Sequence, residues 1–228
     1  MIYGDGDDNI IKELYPVALM QARVLDGKTD YDKCSINAPF FIDWCPGLCS
    51  SVANFGVFLY TMKHLLALAR HIGKSEDADW INGKIGQITK VLLKFYDSER
   101  HCFVDKNCGL SWAAGIWGVL SGALDSDESG KVLLQLERTD PPLKMGTPYL
   151  VSYYVEALLS CGMNNKATET IKKYWGRMLD TGLDRFPEYL IDTKEHSEYY
   201  NEITNSYCHA WSATPAYFIG RLKNYRSV

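Results

Sequence analysis

The chain has 228 residues, of which 46% are hydrophobic, 13% aromatic and 23% charged, the balance of a soluble globular protein. Lys and Arg number 24 against 28 Asp and Glu, a net charge of -4 with no basic cluster, which argues against nucleic acid or an anionic membrane as partner. No apolar run is expected to serve as a membrane span, and the N-terminus MIYGDGDDNI has neither the basic nor the apolar region of a signal peptide, so the cytoplasm is the default compartment.

Eight segments read as helices. Asn9 to Leu25 carries Ile10, Leu14, Val17, Ala18 and Met20 at mixed three- and four-residue steps. Ser51 to Ile72 has one continuous apolar face from Phe55 to Ala69 and stops before Gly73. Ser75 is placed to cap a third helix with the stripe Ile81, Ile85, Ile88, Val91, Leu92 and Phe95. Ser111 to Ser121 is short, rich in small residues and apolar nearly all round, which predicts deep burial. Asp125 to Arg138 follows. Pro148 then suits a first helical position, with Thr147 as cap, in a helix running to Gly162. Lys166 to Leu179 and Ala210 to Leu222 complete the set. Alternating strand patterns are scarce, His101 to Asp105 being the one candidate for a piece of hairpin. The fold class expected is all-α.

The connections alternate long and short. Short links make consecutive helices antiparallel neighbours, so the long ones should all emerge at one end. Loops of this length in a compact domain are usually functional. They hold Phe40, Phe41, Asp43, Trp44, Phe103, Asp105, Asp184, Arg185, Glu188, His196 and His209. About four helical hairpins with elaborated loops on one face are the pattern of an α/α toroid. A closed ring needs about six, so the expectation is one domain over 1–228 that forms part of a toroid and lacks its N-terminal hairpins. Uncovered helix faces in such a piece predict self-association.

Seven cysteines, Cys34, Cys45, Cys49, Cys102, Cys108, Cys161 and Cys208, include no CxxC pair and no zinc-finger spacing with histidine. They are expected to be reduced thiols filling small spaces in the core, with no metal site. His64, His71 and His101 read as surface or packing residues, and His196 as part of a solvated acidic loop with Glu195, Glu198, Tyr199, Tyr200 and Glu202. Asp5, Asp7 and Asp8 lack a calcium-loop Glu at position twelve, where Pro16 stands, and read as a helix N-terminus.

Loop aromatics beside carboxylates suit a sugar, whose ring faces stack on indoles and whose hydroxyl rim takes hydrogen bonds from carboxylate, His and Arg. The segment Phe40-Phe41-Ile42-Asp43-Trp44-Cys45-Pro46-Gly47 presents a carboxylate and an indole together. It is followed by Gly146-Thr147-Pro148-Tyr149 with Tyr153, Tyr154 and Glu156, then by Trp175-Gly176-Arg177-Met178-Leu179. Last come Asp184-Arg185-Phe186-Pro187-Glu188-Tyr189 and Ser206-Tyr207-Cys208-His209-Ala210-Trp211-Ser212-Ala213-Thr214-Pro215.

In this order the segments resemble the six-hairpin glycosidases, most closely the α-L-rhamnosidases of glycoside hydrolase family 78, from about Gly4 to Gly220. The resemblance implies an inverting hydrolysis of terminal α-L-rhamnosides without cofactor or metal. It assigns Glu188 as the general base and places Asp43, Trp44, His209 and Trp211 at the substrate. Two departures bear on this. Pro187 and the residues before it replace the family's Thr-x-Trp ahead of the base. The acid loop, with its Asp-Gly-x-x-x-Asp-Arg pattern, has no counterpart, so the acid is expected from outside this chain. The alternative is a non-catalytic carbohydrate-binding or scaffold protein of the same fold.

Overall fold

A computed structural model describes residues 8–190 and 205–225, without the side chains of 223–225. His196 with Glu195, Glu198, Tyr199, Tyr200 and Glu202, and likewise Asp5 and Asp7, lie outside the described residues. Among the described residues are eight α-helices: α1 (Asp8–Gly27), α2 (Ser51–His71), α3 (Ser75–Leu93), α4 (Trp112–Leu120), α5 (Ser126–Thr139), α6 (Pro148–Ser160), α7 (Asn164–Asp180) and α8 (Pro215–Tyr225). Two minimal antiparallel hairpins decorate the loops: β1 (Thr29–Asp30) with β2 (Ser35–Ile36), and β3 (Tyr96–Asp97) with β4 (Cys102–Phe103). The protein is all-α, as the periodicity predicts.

Helices α2, α4 and α6 lie side by side, and α3, α5 and α7 return against them through short turns. The sequence dictates this division. Helix α4 is buried along nearly its whole length and carries no charge, so no face of it suits water. Helices α3, α5 and α7 are amphipathic and bury a single stripe each, such as Val132, Leu133 and Leu136 on α5. Gly56 sets the spacing between α2 and α4, because a Cβ there would lie 2.7 Å from the carbonyl oxygen of Trp117. By length and composition alone α2 would be long and apolar enough to span a membrane. Here it packs on α1, α3 and α4 and buries Phe55, Phe58, Leu59 and Met62, as a core helix does.

Helix α1 departs from its expected packing. Ile10, Leu14, Val17 and Met20 are about half exposed, while Tyr15 and Ala22 are buried. Two polar anchors set this rotation: the Tyr15 hydroxyl and the Arg23 guanidinium both bond Asp77 of α3. Two caps and the start of the last helix also differ from expectation. Ser75 is the first helical residue, behind Lys74. Thr147 stands at the α6 N-cap without a side-chain capping bond, since its hydroxyl is used elsewhere. The segment from Ala210 divides into a 3₁₀ turn, Ala210–Ser212, and α8, because Pro215 lacks an N–H and takes a first helical position. At two other helix starts the capping bonds are explicit: Ser111 caps Ala114 N–H and Asp125 caps Glu128 N–H.

The cysteines are free; Cys102 is buried, Cys34 and Cys161 are half-buried against the core as expected, and Cys45, Cys49, Cys108 and Cys208 do not fill it. Those four lie in loops, where the Cys49 and Cys108 thiols meet backbone carbonyls. His71 pairs with Asp8 and His101 with Glu128, while the His64 ring lies tilted against Tyr60.

Candidate functional site

The long connections meet at one end. Trp112 N–H donates to the carbonyl of Leu143, and Cys108 reaches the carbonyl of Cys49, which joins three loops around the start of α2, α4 and α6. The Asp43 carboxylate makes the firmest of these joints. One oxygen accepts the Gly146 N–H and the other the Thr147 hydroxyl, each at 2.6 Å, so both are committed to the start of α6. Burial pushes this carboxyl up to about 6, against the opposing effect of the Thr147, Gly146 and Trp44 donors.

Held by that clamp, the neighbouring rings project outward. Phe41 and Trp44 are 44% and 49% exposed, and their rings meet edge to face at 5.5 Å. Phe41 also stacks on Trp211, 5.5 Å away with the planes 12° apart, and lies 5.4 Å from Tyr149. The His209 ring lies 4.0 Å from Trp211. These rings form a continuous aromatic surface across loops far apart in sequence.

Glu188 borders this surface. Its segment is splinted against residues 205–212 chiefly through its own main-chain groups, which bond both backbone and side chains of that stretch. Glu188 N–H donates to the Ser206 carbonyl at 2.6 Å, and its own carbonyl accepts the Trp211 indole N–H at 2.8 Å. On either side, His209 N–H donates to the Phe186 carbonyl, the Ser212 hydroxyl to the Pro187 carbonyl, and Asn205 brackets Tyr189. Pro187 fits because this arrangement asks for its carbonyl and needs no N–H. Glu188 is half-buried, and among the described residues its carboxylate takes one long bond, 3.4 Å, from Ser206 N–H.

The structure thus joins Glu188, through its main-chain carbonyl, and the His209 ring each to Trp211, and joins Trp44 to Trp211 through Phe41. Asp43 lies behind the loop as its anchor. Reasoning on the sequence placed Phe41 in a long loop and Tyr149 in a motif without giving either a site role, since nothing local shows that the two rings meet. A cavity of about 390 Å³ opens from Tyr149 and Trp211 down the face of α6, lined also by Tyr60, Tyr153, Glu156 and Tyr217. Its size suits a small ligand. Glu156 in its wall is bound by Arg221 through both oxygens, at 2.6 and 2.5 Å.

No family model matches the sequence, and no curated protein matches it. Solved structures do. A rhamnosidase from Klebsiella oxytoca with rhamnose bound is 32% identical, with a TM-score of 0.84 over 92% of this chain and 42% of that one. A GH78 family rhamnosidase of Bacillus sp. GL1 is 20% identical, with a TM-score of 0.79 over 94% of this chain and 24% of that one. The Streptomyces avermitilis α-L-rhamnosidase complexed with L-rhamnose is 17% identical, with a TM-score of 0.68 over 94% and 21% of the two chains. The chain spans under half the length of each. With nearly all of its length superimposed on these helical domains, it has the fold of the family 78 α-L-rhamnosidases.

Proposed function

We propose that this chain supplies the sugar-binding mouth and the general base of an inverting glycoside hydrolase acting on terminal α-L-rhamnosides. The observation that carries this reading is the Trp211 indole bonded to the Glu188 main chain while its ring continues the exposed Phe41 and Trp44 surface. A sugar ring lying on the aromatics would then have a carboxylate at its edge. The Glu188 carboxylate takes a proton from a water molecule as its oxygen attacks the anomeric carbon. His209 and Trp211 hold the sugar's hydroxyls and ring face, with Trp44 closing the far side. Asp43 contributes by fixing the Trp44 loop. The leaving oxygen is protonated by an acid from outside these 228 residues.

A second reading, sugar binding without cleavage, is favoured by one observation. Both oxygens of Asp43 are engaged at α6, which leaves it no acid role beside Glu188.

The two readings separate on a rhamnoside whose leaving group needs no proton, such as rhamnosyl fluoride. The hydrolase reading expects turnover by this chain, reduced about 100-fold or more in Glu188→Gln. Rhamnose binding without turnover supports the second reading, and absence of both refutes the proposed site. We also propose that the exposed row Ile10, Leu14, Val17, Met20 and Val24 on α1 supports self-association, which sedimentation would test.

A further inference from the structure

Two cysteines outside the aromatic mouth are brought together with a buried carboxylate. Cys49 lies in the loop that leads into α2, and Asp105 and Cys108 belong to the turn before α4. Their two sulfurs and a carboxylate oxygen of Asp105 all lie within 4.8 Å of one another. The turn is preorganised. Asp105 and Gly109 exchange both main-chain hydrogen bonds, at 3.0 and 2.8 Å, and Asp105 Oδ1 accepts the Asn107 N–H at 2.9 Å.

Asp105 is the anomaly. It is 2% exposed, and its Oδ2 is buried with no hydrogen-bond partner among the described residues. A buried carboxylate oxygen left unpaired is costly, and native structures relieve that cost with a donor or a cation. The groups beside it are two thiols, weak donors that become strong ligands once deprotonated.

We propose that Cys49, Asp105 and Cys108 form a binding site for a thiophilic divalent cation, with zinc as the best fit. Two sulfurs and one oxygen select a borderline-soft ion over calcium or magnesium, which take oxygen ligands. A tetrahedral zinc ion, with bonds of about 2.3 Å to sulfur and about 2.0 Å to oxygen, needs its ligands roughly 3.3 to 3.8 Å apart. Side-chain rotation supplies that closure. Binding releases the two thiol protons and leaves a fourth position for water. The ion would tie the loop that carries Trp44 to the loop before α4, and so brace the rim of the mouth without entering the reaction proposed for Glu188.

The test uses the reduced, metal-free chain titrated with Co²⁺ and then with Zn²⁺. One equivalent of cobalt should give a near-ultraviolet thiolate-to-cobalt charge-transfer band, which zinc then removes by displacement. Cys49→Ser and Cys108→Ser should abolish the band, and Asp105→Asn should weaken binding by more than about tenfold. Cys161→Ser, away from the cluster, should leave it intact and serves as the control. Far-ultraviolet circular dichroism of each variant verifies the fold. No charge-transfer band in the parent chain, or a band that survives in both cysteine variants, overturns the site. Unchanged affinity in a folded Asp105→Asn variant overturns the role of the carboxylate. None of these readouts depends on sugar binding or turnover.

Discussion

The two ends of the helical layers are closed by different means. At the short-turn end, Gly73 and Gly162 take left-handed backbone conformations, and the following Lys74 and Met163 N–H groups reach back to the carbonyls of Ala69 and Leu158. These are local bonds of helix termination, written into a few adjacent residues. At the long-loop end, the fixing contacts join residues remote in sequence: Asp43 with Thr147, Phe186 with His209, Glu188 with Trp211. The layers therefore stand on repeated apolar packing, while the mouth stands on a handful of polar and aromatic contacts. Damage should be global in one region and confined to the site in the other.

The strongest way to break the packed region is Gly56→Ala. Its methyl group would meet the Trp117 main chain, which cannot yield without separating α2 from α4. A loss of about 3 kcal/mol in urea unfolding is expected. At the mouth, Asp43→Ala leaves the Gly146 N–H and Thr147 hydroxyl without their acceptor and should cost about 2 kcal/mol. It should also release the Phe41 and Trp44 surface, read as lost rhamnose binding.

Asp43 also sharpens the comparison through pH. Its folded value, about 6, lies above that of an unfolded Asp, so its proton-linked stabilisation is complete below about pH 4 and is lost as the pH rises through 6. Asp43→Asn should flatten that part of the stability profile. Glu128 on α5 has the opposite sign. Tyr96, His101 and Lys131 hold it down at about 2, so its contribution is present above about pH 4.5 and lost as the pH falls through 2.

Smaller effects follow. Trp211→Phe keeps a ring but loses the bond to the Glu188 carbonyl, for about 1 kcal/mol of stability and weaker sugar binding. Leu14→Glu should change monomer stability by less than about 0.5 kcal/mol, since the residue is exposed. Sedimentation of that variant should nevertheless shift toward monomer if the α1 row drives association.

Most of the helical layers was legible because apolar periodicity and end residues are local signals. Ser111, Asp125 and Pro148 stand at helix starts for reasons contained in a few neighbouring residues. The orientation of α1 was not legible, because Asp77, the residue that fixes it, lies 54 positions from Arg23. The candidate site was legible as segments rather than as geometry. Glu188 and Trp211 could be named from their motifs, but the committed state of both Asp43 oxygens depends on a partner 103 residues away. The Cys49–Cys108 proximity was hidden for the same reason: 59 residues separate the pair, with two helices between them.

The splint around Glu188 has a practical consequence. Among the described residues, every short bond of Glu188 is made by its own backbone, so the carboxylate hangs from a socket that does not require it. Exchanging the side chain should leave the rim's architecture standing, and any change in chemistry at this position would then report on the acid group itself rather than on a collapsed loop.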